Sequence, residues 1–151
     1  MPRVLGLDFG TKRVGAALSD ASGRIATPLE VYHRQDDRID GRHYRALVER
    51  EGVERLVVGL PVHTSGNESR SAELARSWGR WLAEATGLPL VFRDERYTST
   101  EAEILLQGAG LKASQRKGKI DMIAATLLLQ AYLDAGCPEQ SEEIAPLDGE
   151  G

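Results

Sequence analysis

Three carboxylate positions in this chain have the residue types and placement to do chemistry: Asp8, the Asp94-Glu95 pair and Asp121. Asp8 follows the apolar run Val4-Leu5-Gly6-Leu7 and precedes a Gly10-Thr11-Lys12 turn. A carboxylate at the end of a strand covered on both faces is costly unless something pairs with it, and a divalent cation is the usual partner. The plainer reading is that Asp8 hydrogen-bonds the turn, and on this stretch alone both readings stand. Asp94 and Glu95 follow the apolar stretch Leu90-Val91-Phe92. Successive strand side chains point to opposite faces, so only one of the two can share a cation with Asp8 if the strand runs through both. Glu95, with the longer reach, is the expected ligand and Asp94 the alternative. Asp121 shares a helical face with Ala124, Ala125 and Leu128, an odd place for a charge. The small alanines would let that helix lie close to a sheet. The plainer reading of Asp121 is a first-turn residue answering the helix dipole.

Such a cluster has a definite chemistry. Two Mg²⁺ or Mn²⁺ ions about 4 Å apart can activate a water and stabilise the leaving oxygen of a phosphodiester. The three histidines, His33, His43 and His63, have no metal-ligand spacing, which argues against zinc.

The elements that would position these acids follow from the hydrophobic pattern. Within Val4 to Asp20, two apolar runs flank the Gly10-Thr11-Lys12 turn, which reads as a β-hairpin. Arg24 to His33 reads as a third extended segment, where Pro28 marks an irregularity or an exposed edge. A polar break at Gln35-Asp36-Asp37-Arg38 precedes a helix expected from about Asp40 to Glu51, with Gly52 ending it. Arg55 to Gly59 is a short strand of parallel-sheet type. The Gly59–Glu68 loop, rich in Gly, Ser, Thr and Asn, leads into an amphipathic helix running to about Ala85. It is either an ordinary connection or, at a helix N-terminus, a phosphate cradle. Trp78 is expected in the core and Trp81 partly exposed. Leu88 to Arg93 is the last strand. Thr98 with Glu101 forms a capping box for a helix ending near Gly108. Gly110 to Lys119 reads as a basic loop, and the final helix spans about Lys119 to Ala135.

Buried strands alternating with helices after an opening meander predict an α/β domain: a mixed five-stranded sheet with helices on both faces. That order matches the ribonuclease H-like fold. Residues 1–136 form this domain, and 137–151 an acidic tail expected to be disordered.

Composition sets the remaining bounds. A chain of 151 residues with 41% hydrophobic and 28% charged residues is an ordinary globular domain. No apolar run is long enough to span a membrane. A lone cysteine, Cys137, allows no internal disulfide, and with no signal-peptide pattern before the first strand a cytoplasmic protein is expected. The net charge of −4 is concentrated at the end: without the five tail acids the chain has 18 acidic against 19 basic residues. The balance therefore permits a nucleic-acid partner without arguing for one. Lys12, Arg13, Arg96 and the loop residues Lys112, Arg116, Lys117 and Lys119 are candidate backbone contacts. For any single one of them, a solvated surface charge is the favoured reading.

Four pieces together resemble the YqgF/RuvX family, relatives of the junction resolvase RuvC. They are Leu5-Gly6-Leu7-Asp8-Phe9-Gly10-Thr11-Lys12-Arg13-Val14-Gly15, Val58-Gly59-Leu60-Pro61, Asp94-Glu95-Arg96-Tyr97-Thr98-Ser99, and Lys117-Gly118-Lys119-Ile120-Asp121 with Ala124-Ala125. They occur in the family's order and reach to about Ala135. The resemblance implies a cytoplasmic, metal-dependent nuclease that matures the 5′ end of pre-16S rRNA, or a resolvase of four-way DNA junctions. It also implies that Asp8, Glu95 and Asp121 are the catalytic metal carboxylates. Tyr97 and the acidic tail depart from the family's pattern. A homodimer would suit a two-fold junction, a monomer a single strand end. Two other classes remain to be weighed: a binding protein that keeps the fold without catalysis, and a fragment of an actin-like nucleotide-binding protein. The second would need another domain and a second phosphate motif, and neither is present in this chain.

Overall fold

The computed structural model describes residues 3–61, 66–94 and 113–139. The opening hairpin joins β1 (Arg3–Phe9) to β2 (Arg13–Ser19) in the antiparallel register Leu5↔Leu18 to Phe9↔Val14. β3 (Ala26–His33), β4 (Val53–Leu60) and β5 (Leu90–Asp94) complete one mixed sheet in the order β3-β2-β1-β4-β5. β1 is therefore central, antiparallel to β2 and parallel to β4.

Among the described residues, three helices cover the two faces. On one, α1 (Asp37–Glu51) and α2 (Gly66–Thr86) bury Tyr44, Leu47, Trp78 and Leu82 against Leu5, Leu7, Val14 and Val58. On the other, α3 (Ala113–Asp134) buries Ala125, Leu129, Tyr132 and Leu133 against Val4, Ala17, Val57 and Val91. The strands divide their side chains between these cores with period two, so both faces of β1 are apolar, as its run of Val and Leu requires. Trp78 is in the core and Trp81 is partly buried against it, as expected. Among the described residues no helix is long and apolar enough to cross a membrane.

Pro28 falls at an irregularity on an edge strand. Ala16 pairs with Glu30 and Ala17 with Pro28, so Leu29 is the extra residue of a bulge, where a missing backbone donor does no harm.

β3 begins at Ala26 rather than Arg24 and β4 runs Val53–Leu60 rather than Arg55 to Gly59, and two helix starts differ by more. α1 starts at Asp37, inside the supposed polar break, because the Asp36 side chain caps it by accepting from the Ile39 amide at 2.8 Å. α3 starts at Ala113 rather than Lys119: most of the supposed basic loop is helix. Gln, Arg and Lys are good helix formers, and only Gly118 opposes them. α3 ends where Gly136 turns left-handed (φ 88°). The Gly136 amide donates to Leu133 O and the Cys137 amide to Tyr132 O, a Schellman closure. The first tail residues are held there, since the Tyr132 hydroxyl donates to Pro138 O at 2.6 Å and Arg55 donates to Cys137 O at 3.3 Å. The helix expected from Thr98 to Gly108 and the tail beyond Glu139 lie outside the described residues.

Candidate active site

Asp8 occupies the last but one position of β1 and is 8% exposed. It shares the parity of Val4 and Gly6, hence the face covered by α3. Its cross-strand neighbour is Gly15. A Cβ on Gly15 would fall 2.0 Å from Asp121 O, and one on Gly6 would fall 2.8 Å from Leu129 Cβ. These glycines let the backbone of α3 rest directly on the hairpin. Asp121 is thereby seated on the residue beside Asp8, so the two acids reach one face of the sheet by separate routes.

Asp121 is the ninth residue of α3, well past the first turn in which the helix dipole acts. The dipole reading therefore falls. Its Oδ2 accepts from Arg13 Nε at 2.9 Å, with the two side chains 23% and 29% exposed. Gly10, Thr11, Lys12, Arg13 and Asp121 line an open cleft of about 340 Å³ at this end of the sheet. A Cβ on Gly10 would come within 2.5 Å of Arg13 O, so the tight turn that shapes the cleft rim needs glycine there. Arg34, after β3, braces the same turn. Its amide donates to Lys12 O at 2.9 Å, its Nη1 donates to Thr11 O at 2.9 Å, and its guanidinium lies 4.9 Å from the centre of the Phe9 ring. Sequence reading missed Arg34, because its role depends on the pairing of His33 with Arg13, which no local pattern announces.

Asp94 ends β5 opposite Leu60. Leu60 and Phe92 belong to the core under α1 and α2, so alternation puts Asp94 on that face, away from Asp8. Arg93 takes the α3 face, 5.8 Å from the centre of the Tyr132 ring. Glu95, Arg96 and Lys112 lie outside the described residues, as do the side chains of Arg116 and Lys117. Lys119 is exposed on α3, two residues before Asp121. The described residues thus pair Arg13 with Asp121 in a cleft that Lys12 also lines, and set Asp8 beside Gly15, on which the Asp121 backbone rests. Among them no group of three or more acids, histidines or cysteines could hold a metal.

A mixed sheet in this order, with helices on both faces and an acid, Asp8, at the carboxyl end of its central strand, has the ribonuclease H-like fold. Its backbone is similar to that of RuvC from T. thermophilus solved with a Holliday junction substrate (TM-score 0.54, 18% identity, 92% of this chain and 99% of that one). It is also similar to a fowlpox virus resolvase (TM-score 0.55, 9% identity, 90% and 99%). The family model described as "RuvX: Holliday junction resolvase" matches residues 2–135. The chain belongs to the RuvX family. A relative from Moorella thermoacetica is 44% identical, with 87% of this chain and 94% of the relative covered. One from Koribacter versatilis is 37% identical, with 95% and 94% covered. Both carry the name "Putative pre-16S rRNA nuclease".

Proposed function

We propose that this protein is a metal-dependent nuclease that hydrolyses phosphodiester bonds of structured RNA, in 5′-end maturation of pre-16S rRNA. The observation that carries this reading is the seating of Asp121 on Gly15 beside Asp8, next to a basic turn, in a chain whose relatives bear a pre-16S rRNA nuclease name.

The donor chemistry fits a hard cation. Asp8 and Asp121 offer only carboxylate oxygens, which suit Mg²⁺ or Mn²⁺ completed by water. Glu95 is the proposed third ligand; Asp94 supports that choice by belonging to the opposite face of β5. Two such ions, when bound, supply an activated water and stabilise the leaving oxygen. The chain's own residues do the rest. Asp8 is fixed by the central strand, Asp121 by the rigid axis of α3, and the Gly10–Arg13 turn by Arg34. Lys12 and Arg13 line the cleft where a phosphate backbone would enter, with Arg96, Lys112, Arg116, Lys117 and Lys119 proposed as further backbone contacts.

The fold's likeness to RuvC and the family's resolvase description favour one second reading, cleavage of four-way DNA junctions by a homodimer. Purified protein with Mn²⁺ or Mg²⁺ is offered a labelled pre-16S rRNA 5′ fragment and a four-way junction. Cleavage of the RNA alone is expected. Paired symmetric nicks in the junction, with the RNA intact, would replace the RNA reading by the resolvase one.

A further inference from the structure

The sequence reading assigned Arg13 to the nucleic-acid backbone, yet its guanidinium is turned onto a proposed metal ligand. Arg13 Nε donates to Asp121 Oδ2 at 2.9 Å. Both residues line the same cleft, and both are tied to the hairpin. Arg13 opens β2, two residues before Gly15, and the Asp121 backbone rests on Gly15 itself. The pair is therefore set by the backbones of β2 and α3, whereas a surface ion pair between long side chains must be ordered at its own entropic cost. A cation bound at Asp121, through Oδ1 or by sharing Oδ2, meets the positive guanidinium already paired with that carboxylate.

We infer that Arg13 is the internal counterion of Asp121: it orients that carboxylate over the cleft and competes with the divalent cation for it. This rests on Asp121 being a metal ligand, as proposed above. The competition has a consequence for substrate. An arginine displaced from Asp121 remains in the cleft, where its planar fork matches a phosphate. Cation loading and phosphate binding are then coupled through one side chain, so metal-free protein spends Arg13 on Asp121 and metal-loaded protein offers it to the backbone. Arg13 is in this sense a positioning residue.

The test is calorimetric titration of Mn²⁺ alone into wild type, Arg13→Gln, Arg13→Lys and Asp121→Asn, each first shown to be folded by circular dichroism. Removing a part-exposed counterion should tighten Mn²⁺ binding by about 2- to 5-fold in Arg13→Gln, while Asp121→Asn weakens it. Arg13→Lys keeps the charge without the fork and should fall between wild type and Arg13→Gln; it also serves if Arg13→Gln does not fold. Wild-type affinity, or weaker, in Arg13→Gln overturns the counterion role while leaving the metal site standing. No Mn²⁺ binding by folded wild type or by either Arg13 variant overturns the metal reading and the counterion role together.

Discussion

Gly15 has no side chain, and its consequence is steric: any Cβ there would stand 2.0 Å from Asp121 O, a distance no side chain tolerates. Gly15→Ala must push α3 off the hairpin or bend β2, at a cost of about 1–3 kcal/mol or more. For a chain of this size that lowers Tm by roughly 3–10 °C, and Asp121 moves with the helix, so cleavage should fall as well. An unchanged melting temperature would contradict the close approach. Asp20 makes an independent prediction in the β2–β3 turn. Its carboxylate accepts from the Ser22 hydroxyl at 2.6 Å and from the Arg24 and Ile25 amides at 2.9 and 3.1 Å. These bonds, the Ser22 one foremost, hold its pKa near 2 against the usual 3.8. A depressed folded-state pKa contributes stability that is present above 3.8 and is lost as pH falls through 2. Asp20→Asn should therefore flatten the acid side of the Tm profile between pH 4 and 2; a slope as steep as wild type would show that the turn does not act this way.

At the scale of elements, what the sequence discloses depends on whether burial is written in apolar residues. β1, β4 and β5 are legible because Val4-Leu5, Leu56-Val57-Val58 and Val91-Phe92 are apolar runs in a chain of otherwise mixed pattern. Asp8 was legible as the charge that ends such a run. The first two turns of α3 were not legible, since Ser114, Gln115, Arg116 and Lys117 show no apolar stripe and helix periodicity is read from that stripe. The same blindness hid Asp36, a cap surrounded by other polar residues. The cost was a wrong placement of Asp121 in its helix, and with it an electrostatic reading that the extra turns remove. The pairing of Arg13 with Asp121 joins residues 108 positions apart and is a property of how α3 packs on β2, which no local spacing encodes. Leu129 carries the element-scale prediction. It is fully buried where α3 meets Gly6, so Leu129→Ala should cost about 2–5 kcal/mol in a denaturant titration. A loss below about 1 kcal/mol would mean that α3 is not clamped to β1 there.

For the whole molecule, the fold divides its labour between two cores. Among the described residues, the core under α1 and α2 holds most of the aromatic packing, including Tyr44, Trp78 and Phe92. The core under α3 is made of small and aliphatic residues with one tyrosine, Tyr132, and brings the second acid to the first. A cation that binds the native state alone must stabilise it by mass action, by about 2.7 kcal/mol at one hundred times its Kd. Mn²⁺ at that level should raise Tm by roughly 5–10 °C in wild type and by much less in Asp8→Asn. An equal rise in both would place the cation elsewhere. The central claim is that Asp8 and Asp121 work as one hydrolytic centre. The measurement that tests it most directly is the single-turnover rate of RNA cleavage by wild type, Asp8→Asn and Asp121→Asn over a range of Mn²⁺ concentrations, with folding checked for each. Both variants should stay folded and lose about 10²–10³-fold in rate, with no recovery at saturating Mn²⁺ for Asp8→Asn. A folded Asp8→Asn that cleaves at the wild-type rate would contradict the claim.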